Sequence, residues 1–162
     1  MPAPILPIAE LAAVLPVRGS LIGLDLGSKT IGVAASDPER RLAAGVETIA
    51  RKNFSSDADR LDKLARERSA VGFVLGLPIN MDGTEGPRAQ SARAFARNLA
   101  RRIELPIGLW DERLSTAAVE RQLIAADASR RRRAAVIDQH AAAYILQGAL
   151  DRLQRIGSHA SK

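Results

Sequence analysis

The sequence predicts an α/β protein with a mixed five-stranded sheet, in which three antiparallel strands are followed by two parallel strands, flanked by helices. Two observations support this. Residues 20–50 contain three consecutive apolar strand patterns without a helical period between them, whereas helical and strand patterns alternate after residue 55. Strand–helix–strand connections imply right-handed crossovers and parallel pairing. At 162 residues we expect one domain, over 20–155, with an N-terminal extension at 1–19 and a flexible tail at 156–162.

The first half of the sheet is predicted as an antiparallel meander. A strand at 20–26 turns through Gly27-Ser28-Lys29 into a second strand at 30–36, and the polar segment 37–41 leads to a third strand at 42–50. The period then changes, and apolar residues recur at three- and four-residue steps over 56–68, which predicts a helix capped by Ser55 or Ser56.

The second half alternates between helices and buried strands. The apolar run Val71–Leu77 is typical of a strand covered on both faces. After the loop 78–87 we expect, in order, a helix to about Ile103, a strand over 106–110, a helix over 115–126, a linker with four arginines at 130–133, and a last helix over 135–153.

Composition limits the possible functions. The absence of cysteine excludes disulfides and thiolate metal sites, so any metal would be held mainly by oxygen ligands. A net charge of +6 favours a polyanionic partner, nucleic acid before membrane. Aromatic residues make up only 3% of the chain, which argues against a single-strand grip based on base stacking. No apolar run approaches the roughly 18 to 20 residues of a membrane span.

Asp25 is a carboxylate within a strand whose other residues are mostly apolar, as expected of a buried strand. It lies between Leu24 and Leu26, where a bare charge is costly unless something positive meets it. Gly23 and Gly27 on either side leave room for a ligand to approach the backbone. The alternative is a simple hairpin whose aspartate caps its own turn.

Three acidic positions share this character: Asp25, the pair Asp111-Glu112 after the fifth strand, and Asp138 on the inward face of the last helix. The ends of parallel strands meet at one edge of a sheet, where open sheets place their sites. Carboxylates gathered there would repel by roughly 3 to 4 kcal/mol per pair at 4 to 5 Å. A divalent cation removes this repulsion, and oxygen ligands suit Mg²⁺ or Mn²⁺. Two such ions about 3.5 to 4 Å apart would suit phosphodiester hydrolysis.

Four ordered motifs carry a resemblance to a known family: LIGLDLGSKTIGVAASD, VLGLPINMDGTEG, WDERLST and VIDQHAAAYILQG. They resemble the motifs of the YqgF/RuvX family of pre-16S ribosomal RNA nucleases, which are related to RuvC-type Holliday junction resolvases. The resemblance spans about residues 21–150. It implies an RNase H-like fold, a cytoplasmic setting, processing of the 5′ end of pre-16S rRNA during ribosome biogenesis, and contact with pre-ribosomal particles, as monomer or homodimer.

The family's acidic site carries over onto Asp25, Glu112 and Asp138 as catalytic residues and metal ligands. Many RNase H-like nucleases bring a carboxylate on the fourth strand, whereas this strand ends in Gly76-Leu77-Pro78. That departure leaves Glu112, with Asp111 as a substitute, to fill the gap. His140 lies two residues after Asp138 and projects to another helix face, so we favour a solvated or core-edge role over a catalytic one.

Further residues are candidates for contact with nucleic acid, each with a structural alternative. Lys29 and Thr30 either hold a phosphate or form a solvated turn. The loop residues Asn80, Gly83 and Thr84 either meet a nucleic-acid strand or only start a helix. Arg113 contacts phosphate or pairs with Asp111. The run Arg130, Arg131, Arg132 and Arg133 is either a phosphate contact, which we favour, or a solvated linker.

Three other functions compete with an RNA nuclease. DLGSKTIG also resembles the first phosphate loop of actin-like and sugar-kinase ATPases, but those proteins need a second such domain and a second glycine-rich loop. Resolution of branched DNA would use the same metal chemistry on another substrate. A non-catalytic nucleic-acid-binding module would not need all three acids.

Overall fold

A computed structural model describes residues 2–114 and 130–160 of the chain, with side chains over 2–114 and 140–157. The strands are β1 (Ile5–Pro7), β2 (Ser20–Leu26), β3 (Thr30–Ser36), β4 (Ala43–Ala50), β5 (Ala70–Leu77) and β6 (Ile107–Asp111). The helices are α1 (Ile8–Leu11), α2 (Phe54–Glu67), α3 (Pro87–Arg102) and α4 (Arg130–Ala160), and a 3₁₀ turn covers Glu112–Leu114.

The strands form one mixed sheet in the order β1-β6-β5-β2-β3-β4. The meander β2–β3–β4 is antiparallel, while β5 pairs parallel with β2, and β6 pairs parallel with β5. The predicted division into an antiparallel and a parallel half is therefore confirmed. Among the described residues β2 is one of the two central strands, flanked by β3 and β5, which places the end bearing Asp25 near the middle of the sheet edge.

The prediction of five strands was one short. The sixth strand, β1, belongs to the segment interpreted as an extension and pairs parallel with β6, Ile5 opposite Ile107. It continues into α1, where Ile8 and Leu11 are buried. A strand of three residues, beside prolines at Pro4 and Pro7, is too short to show a two-residue period, and its pairing is visible only in three dimensions.

Two apolar cores hold the helices against the faces of the sheet. On one face, α2 and α3 pack over residues that include Leu24, Phe73 and Leu75. On the other face, α1 and α4 pack over residues that include Leu21 and Val74. The approach of α4 to β2 is close, because a Cβ on Gly23 would stand 2.7 Å from the Leu146 Cβ. Glycine in the strand thus lets the long helix lie directly on the central strand.

Several helix boundaries differ from the sequence-based expectation. The cap of α2 is Asn53, whose Oδ1 accepts the Ser56 N–H at 2.9 Å, so neither Ser55 nor Ser56 is the cap. The four arginines at 130–133 open α4 instead of forming a linker, and α4 continues past the predicted end at Leu153 to Ala160. The predicted helix at 115–126 lies outside the described residues. In the part of the chain described here, no helix has the length and apolar character needed to span a bilayer.

Candidate active site

Asp25 lies near the carboxyl end of the central strand and is buried, with 6% of its surface exposed. Successive residues of a strand point to opposite faces. Since Gly23 faces α4 and Leu24 lies in the core beneath α2 and α3, Asp25 belongs to the α4 face. A carboxylate has thus been placed under the long helix, at the edge of the sheet where β2 ends.

Glu112 comes to the same edge from β6. It is the first residue of the 3₁₀ turn that follows that strand. Its carboxyl carbon lies 3.3 Å from the position that a Cβ on Gly76 would take. On the adjacent parallel strands β2 and β5, Leu24 lies opposite Leu75. Asp25 and Gly76, the residues that follow them, are therefore neighbours across the two strands. Glu112 and Asp25 therefore flank Gly76 on one face of the sheet.

Gly76 is the position at which the sequence departs from many RNase H-like nucleases. Any side chain there would meet the Glu112 carboxyl group, and its Cβ would stand 2.6 Å from Cδ1 of Ile145 on α4. The space is therefore occupied by the carboxyl group of Glu112 and by the packed helix. This supports the expectation that Glu112 takes the place that a carboxylate on this strand would have had.

The third predicted acid, Asp138, falls within α4, four residues before Ala142. The carbonyl oxygen of Ala142 lies 3.1 Å from the Cβ position of Gly23. The side chain of Asp138 is outside the described part of the chain. Within residues 2–114 and 140–157, no three His, Cys, Asp or Glu side chains form a cluster that could hold a metal ion. The site with three carboxylates accordingly stays a prediction.

Asp111, the proposed substitute for Glu112, is engaged elsewhere. Arg113 donates to both of its carboxylate oxygens, from Nε at 3.1 Å and from a terminal nitrogen at 2.7 Å, and the Arg113 backbone N–H adds a bond of 2.9 Å. These hydrogen bonds hold the pKa of Asp111 below its ordinary value. Arg113 therefore pairs with Asp111, and its other expected role, contact with a phosphate, stays a prediction.

The loop after β5 is closed by its own polar groups. The Asn80 N–H donates to the Thr84 carbonyl at 2.9 Å, and the Gly83 N–H donates to the Asn80 carbonyl at 2.8 Å. The Asn80 amide donates to the Thr84 hydroxyl, which donates to Asp82 at 2.6 Å. The groups expected to meet nucleic acid thus hold a compact turn. With Glu112, Arg88 and Arg113, the loop lines a groove of about 470 Å³.

Arg51 was missed by the sequence analysis and braces the turn that follows Asp25. Its guanidinium donates to the Gly27 carbonyl at 2.7 Å and lies 5.8 Å from the centre of the Phe95 ring. The same turn is closed by the Gly27 N–H, which donates to the Thr30 carbonyl at 2.8 Å. Lys29 at its tip is exposed. A single arginine after a strand gives no sequence signal of this role.

His140 is exposed and lies away from the acidic edge. It lines a groove of about 460 Å³ between α4 and β4, together with Tyr144 and Gln147. Gln147 accepts the Ala43 N–H at 2.9 Å and so ties the helix to the edge strand.

The mixed sheet with buried Asp25 on its central strand and a long helix over it defines an RNase H-like α/β protein. The fold matches solved Holliday junction resolvases. Thermus thermophilus RuvC bound to a Holliday junction substrate aligns over 84% of this chain and 96% of its own with a TM-score of 0.52 at 12% identity. The yeast mitochondrial resolvase Ydc2 aligns over 95% and 87% with a TM-score of 0.53 at 13% identity.

Sequence comparison identifies the family. Residues 19–152 match the family model described as RuvX, Holliday junction resolvase, and the chain belongs to the RuvX family. A relative from Rhodopseudomonas palustris strain TIE-1 is 76% identical over 153 residues, covering 94% of this chain and 96% of its own. A Bradyrhizobium relative, strain BTAi1, is 74% identical over 94% of this chain and 95% of its own. Both relatives are named as candidate pre-16S rRNA nucleases.

Proposed function

We propose that this chain is a metal-dependent nuclease that hydrolyses phosphodiester bonds and processes the 5′ end of pre-16S rRNA in the cytoplasm. The observation that carries the proposal is the placement of Glu112 against Gly76, beside the buried Asp25. Carboxylates brought to one edge from the ends of different strands repel each other, and a shared divalent cation would offset that repulsion. The names of the relatives supply the RNA substrate.

The donor set fits a divalent metal. Asp25 and Glu112 offer carboxylate oxygens beside a residue without a side chain, and the chain contains no cysteine that would favour a softer ion. We assign Asp25, Glu112 and Asp138 as the ligands of Mg²⁺ or Mn²⁺. When bound, the metal would supply Lewis-acid stabilisation of the charge that develops on the phosphate oxygens.

The chain's own residues provide position and charge. The rigid central strand fixes Asp25, and the brace from Arg51 to the Gly27 carbonyl fixes the turn beyond it. Exposed cations near the edge neutralise the phosphates of the substrate. We keep as proposed nucleic-acid contacts Lys29, Thr30, Asn80, Gly83, Thr84, Arg113 and Arg130 to Arg133, within a nuclease domain over 20–155.

The substrate assignment favours precursor rRNA, alone or in pre-ribosomal particles, and branched DNA is the second candidate. Branched DNA is considered because the family description and the name of the RuvC complex both mention Holliday junctions. The metal chemistry is the same for both substrates, so the site does not separate them. The oligomeric state in the proposal is a monomer or homodimer.

A parallel cleavage assay tests the proposal. Purified protein is incubated with a 5′-extended 16S rRNA fragment, a four-way DNA junction or ATP, each with Mg²⁺, with Mn²⁺ or with EDTA, and the products are mapped by primer extension or chromatography. We expect metal-dependent cutting of the RNA near its mature 5′ end. Cutting of the junction alone would replace the RNA assignment, and hydrolysis of ATP alone would overturn the nuclease.

A further inference from the structure

Helix α3 has an unusual charge composition for a surface helix. It contains five arginines and no acidic residue: Arg88, Arg93, Arg97, Arg101 and Arg102. Its neighbour α2 packs on the same face of the sheet and mixes both signs, with Asp57, Asp59, Asp62 and Glu67 beside Arg60, Lys63 and Arg66. Both helices pack on the same core and expose their other face to solvent, so the charges of α2 show what an ordinary solvated helix surface looks like in this protein.

The charges of α2 are matched locally, whereas those of α3 are matched only in part. On α2, Asp62 pairs with Arg66 and Glu67 with Lys63, both within the helix. On α3, two arginines form ion pairs with acids outside the helix: Arg93 with Glu85, and Arg102 with Asp59. Among the described residues, no acidic side chain lies within 4.0 Å of Arg88, Arg97 or Arg101.

Arg97 and Arg101 form an exposed stripe. They are four residues apart, as are Arg93 and Arg97, so their side chains lie on one side of the helix about 6 Å apart along its axis. Like charges at this spacing repel, and no acid intervenes. The helix C-terminus favours the cation at Arg101, but Arg97 lies mid-helix and gains nothing from it.

Arg88 is unfavourable for its own helix. It lies in the first turn of α3, where the helix dipole disfavours a cation and no acid accompanies it. It is exposed and lines the groove that contains Glu112. The first turn of α3 gives Arg88 no acidic partner, and the groove presents it to a negatively charged ligand beside Glu112.

The Arg97 end of the stripe reaches a groove next to the acidic edge. A second groove, of about 410 Å³, runs between α3 and the β1–β6 margin and is lined by Arg93, Arg97 and Asp111. Asp111 precedes Glu112 in the chain, so the two grooves lie on either side of the segment 111–113. Each groove is bordered by an arginine of α3 that has no acidic partner in the described structure.

We propose that Arg88, Arg97 and Arg101, the α3 arginine surface, bind backbone phosphates of an RNA strand on the flanks of the cleavage point. This deepens the proposed function, on which the choice of RNA as the polyanion rests. Arginine recognises phosphate through its planar set of donors. With few aromatic residues in the chain, the contact is electrostatic and independent of base sequence.

Salt-dependent binding tests the surface. The affinity for a labelled single-stranded RNA is measured by fluorescence anisotropy over a salt series, without divalent metal, so that no cutting occurs. The double variant Arg97→Gln/Arg101→Gln is compared with Lys63→Gln/Arg66→Gln on α2, which removes the same charge. We expect the slope of log K against log salt to fall by about 0.7 for each lost phosphate contact in the α3 variant only. Equal slopes in the two variants overturn the surface.

Arg88→Gln and cleavage kinetics give a second readout. In the cleavage assay, Arg97→Gln/Arg101→Gln should raise KM severalfold for a long RNA while kcat stays near the parent value, because these residues lie outside the acidic edge. Arg88→Gln should likewise lower RNA affinity, with a smaller salt slope. Unchanged affinity in Arg88→Gln would remove that residue from the surface.

The outcomes separate this inference from the proposed function. If the parent cuts no RNA but the α3 variant loses RNA binding, the surface stands and the nuclease proposal fails. If the parent cuts RNA and the α3 variant binds RNA with an unchanged salt dependence, the α3 arginine surface is wrong and the nuclease proposal stands. Binding of the same variants to phosphatidylserine vesicles and, separately, to poly-glutamate is measured in parallel. If the α3 variant loses more affinity for either of these than for RNA, the result contradicts an RNA-binding role.

Discussion

The carboxyl carbon of Glu112 lies 3.3 Å from the point at which a Cβ on Gly76 would stand. This relationship joins two features that are distant in the sequence: the glycine next to the last residue of β5 and the acid that directly follows β6. It also explains why β5 carries glycine beside Asp25. The absent side chain leaves the space that the Glu112 carboxyl group occupies.

Gly76→Ala should reduce both activity and stability. The added methyl group would stand 2.6 Å from Cδ1 of Ile145 and displace Glu112. Overpacking of this kind costs about 1–3 kcal/mol. Urea unfolding and cleavage rates measure the two effects. The control is Gly157→Ala, whose Cβ would meet nothing within 4 Å and which should leave activity unchanged. Full activity in Gly76→Ala would show that Glu112 has no fixed role.

Glu112→Gln should abolish cleavage, whereas Asp111→Asn should reduce it only modestly. Glu112 flanks Gly76 on the face of Asp25, while Asp111 is held by Arg113. Loss of a ligand should exceed the roughly 10- to 100-fold effect that is typical of a supporting residue. Single-turnover cleavage rates at saturating Mn²⁺ make the comparison. The assignment is reversed if Asp111→Asn is the inactive variant.

Asp25→Asn should lose metal-dependent cleavage and keep the fold. The side chain is buried on the central strand, and asparagine preserves its shape while removing the charge that a cation requires. Circular dichroism verifies the fold, and titration calorimetry with Mn²⁺ measures the loss of metal affinity. A variant that cuts as fast as the parent under Mn²⁺ would remove Asp25 from the site.

Asp37 should make the β3–β4 turn sensitive to acid. The N–H of Leu42, at 2.8 Å, and the N–H of Arg41, at 2.9 Å, donate to its carboxylate and hold its pKa below the ordinary value of 3.8. A carboxyl group with a lowered pKa in the folded state stabilises the protein above its ordinary pKa. That stabilisation is lost as the pH falls through the lowered pKa.

Thermal unfolding over a pH series measures this effect. Asp37→Asn should lower Tm near neutral pH, and the difference from the parent should shrink as the pH falls below about 3.8. Glu39→Gln is the control, because it removes a carboxylate on the same turn whose partner Arg18 is largely exposed. A Tm difference that does not vary with pH would exclude the Asp37 carboxylate as its cause.

The elements that bear the site were predictable because they follow from local patterns. Alternating and continuous apolar runs mark β2 to β6, and the absence of a helix before residue 50 implies the antiparallel meander. Asp25 stood out for the same reason, as a charge in a run built for burial. The short β1 showed no such pattern, and its pairing with β6 depends on a partner about 100 residues away.

What the sequence by itself determined is the order of the elements from β2 to β6, the long last helix, and the candidacy of Asp25, Glu112 and Asp138. Only the tertiary structure shows that Glu112 lies against Gly76 while Asp111 pairs with Arg113. Asp111 is the last residue of β6 and Glu112 opens the 3₁₀ turn that follows, so their directions depend on packing against Gly76 and on the pair with Arg113. The sequence pattern predicts which residues share a face within one helix or strand. Contacts between elements determine the direction of a side chain at the end of an element, where that pattern stops.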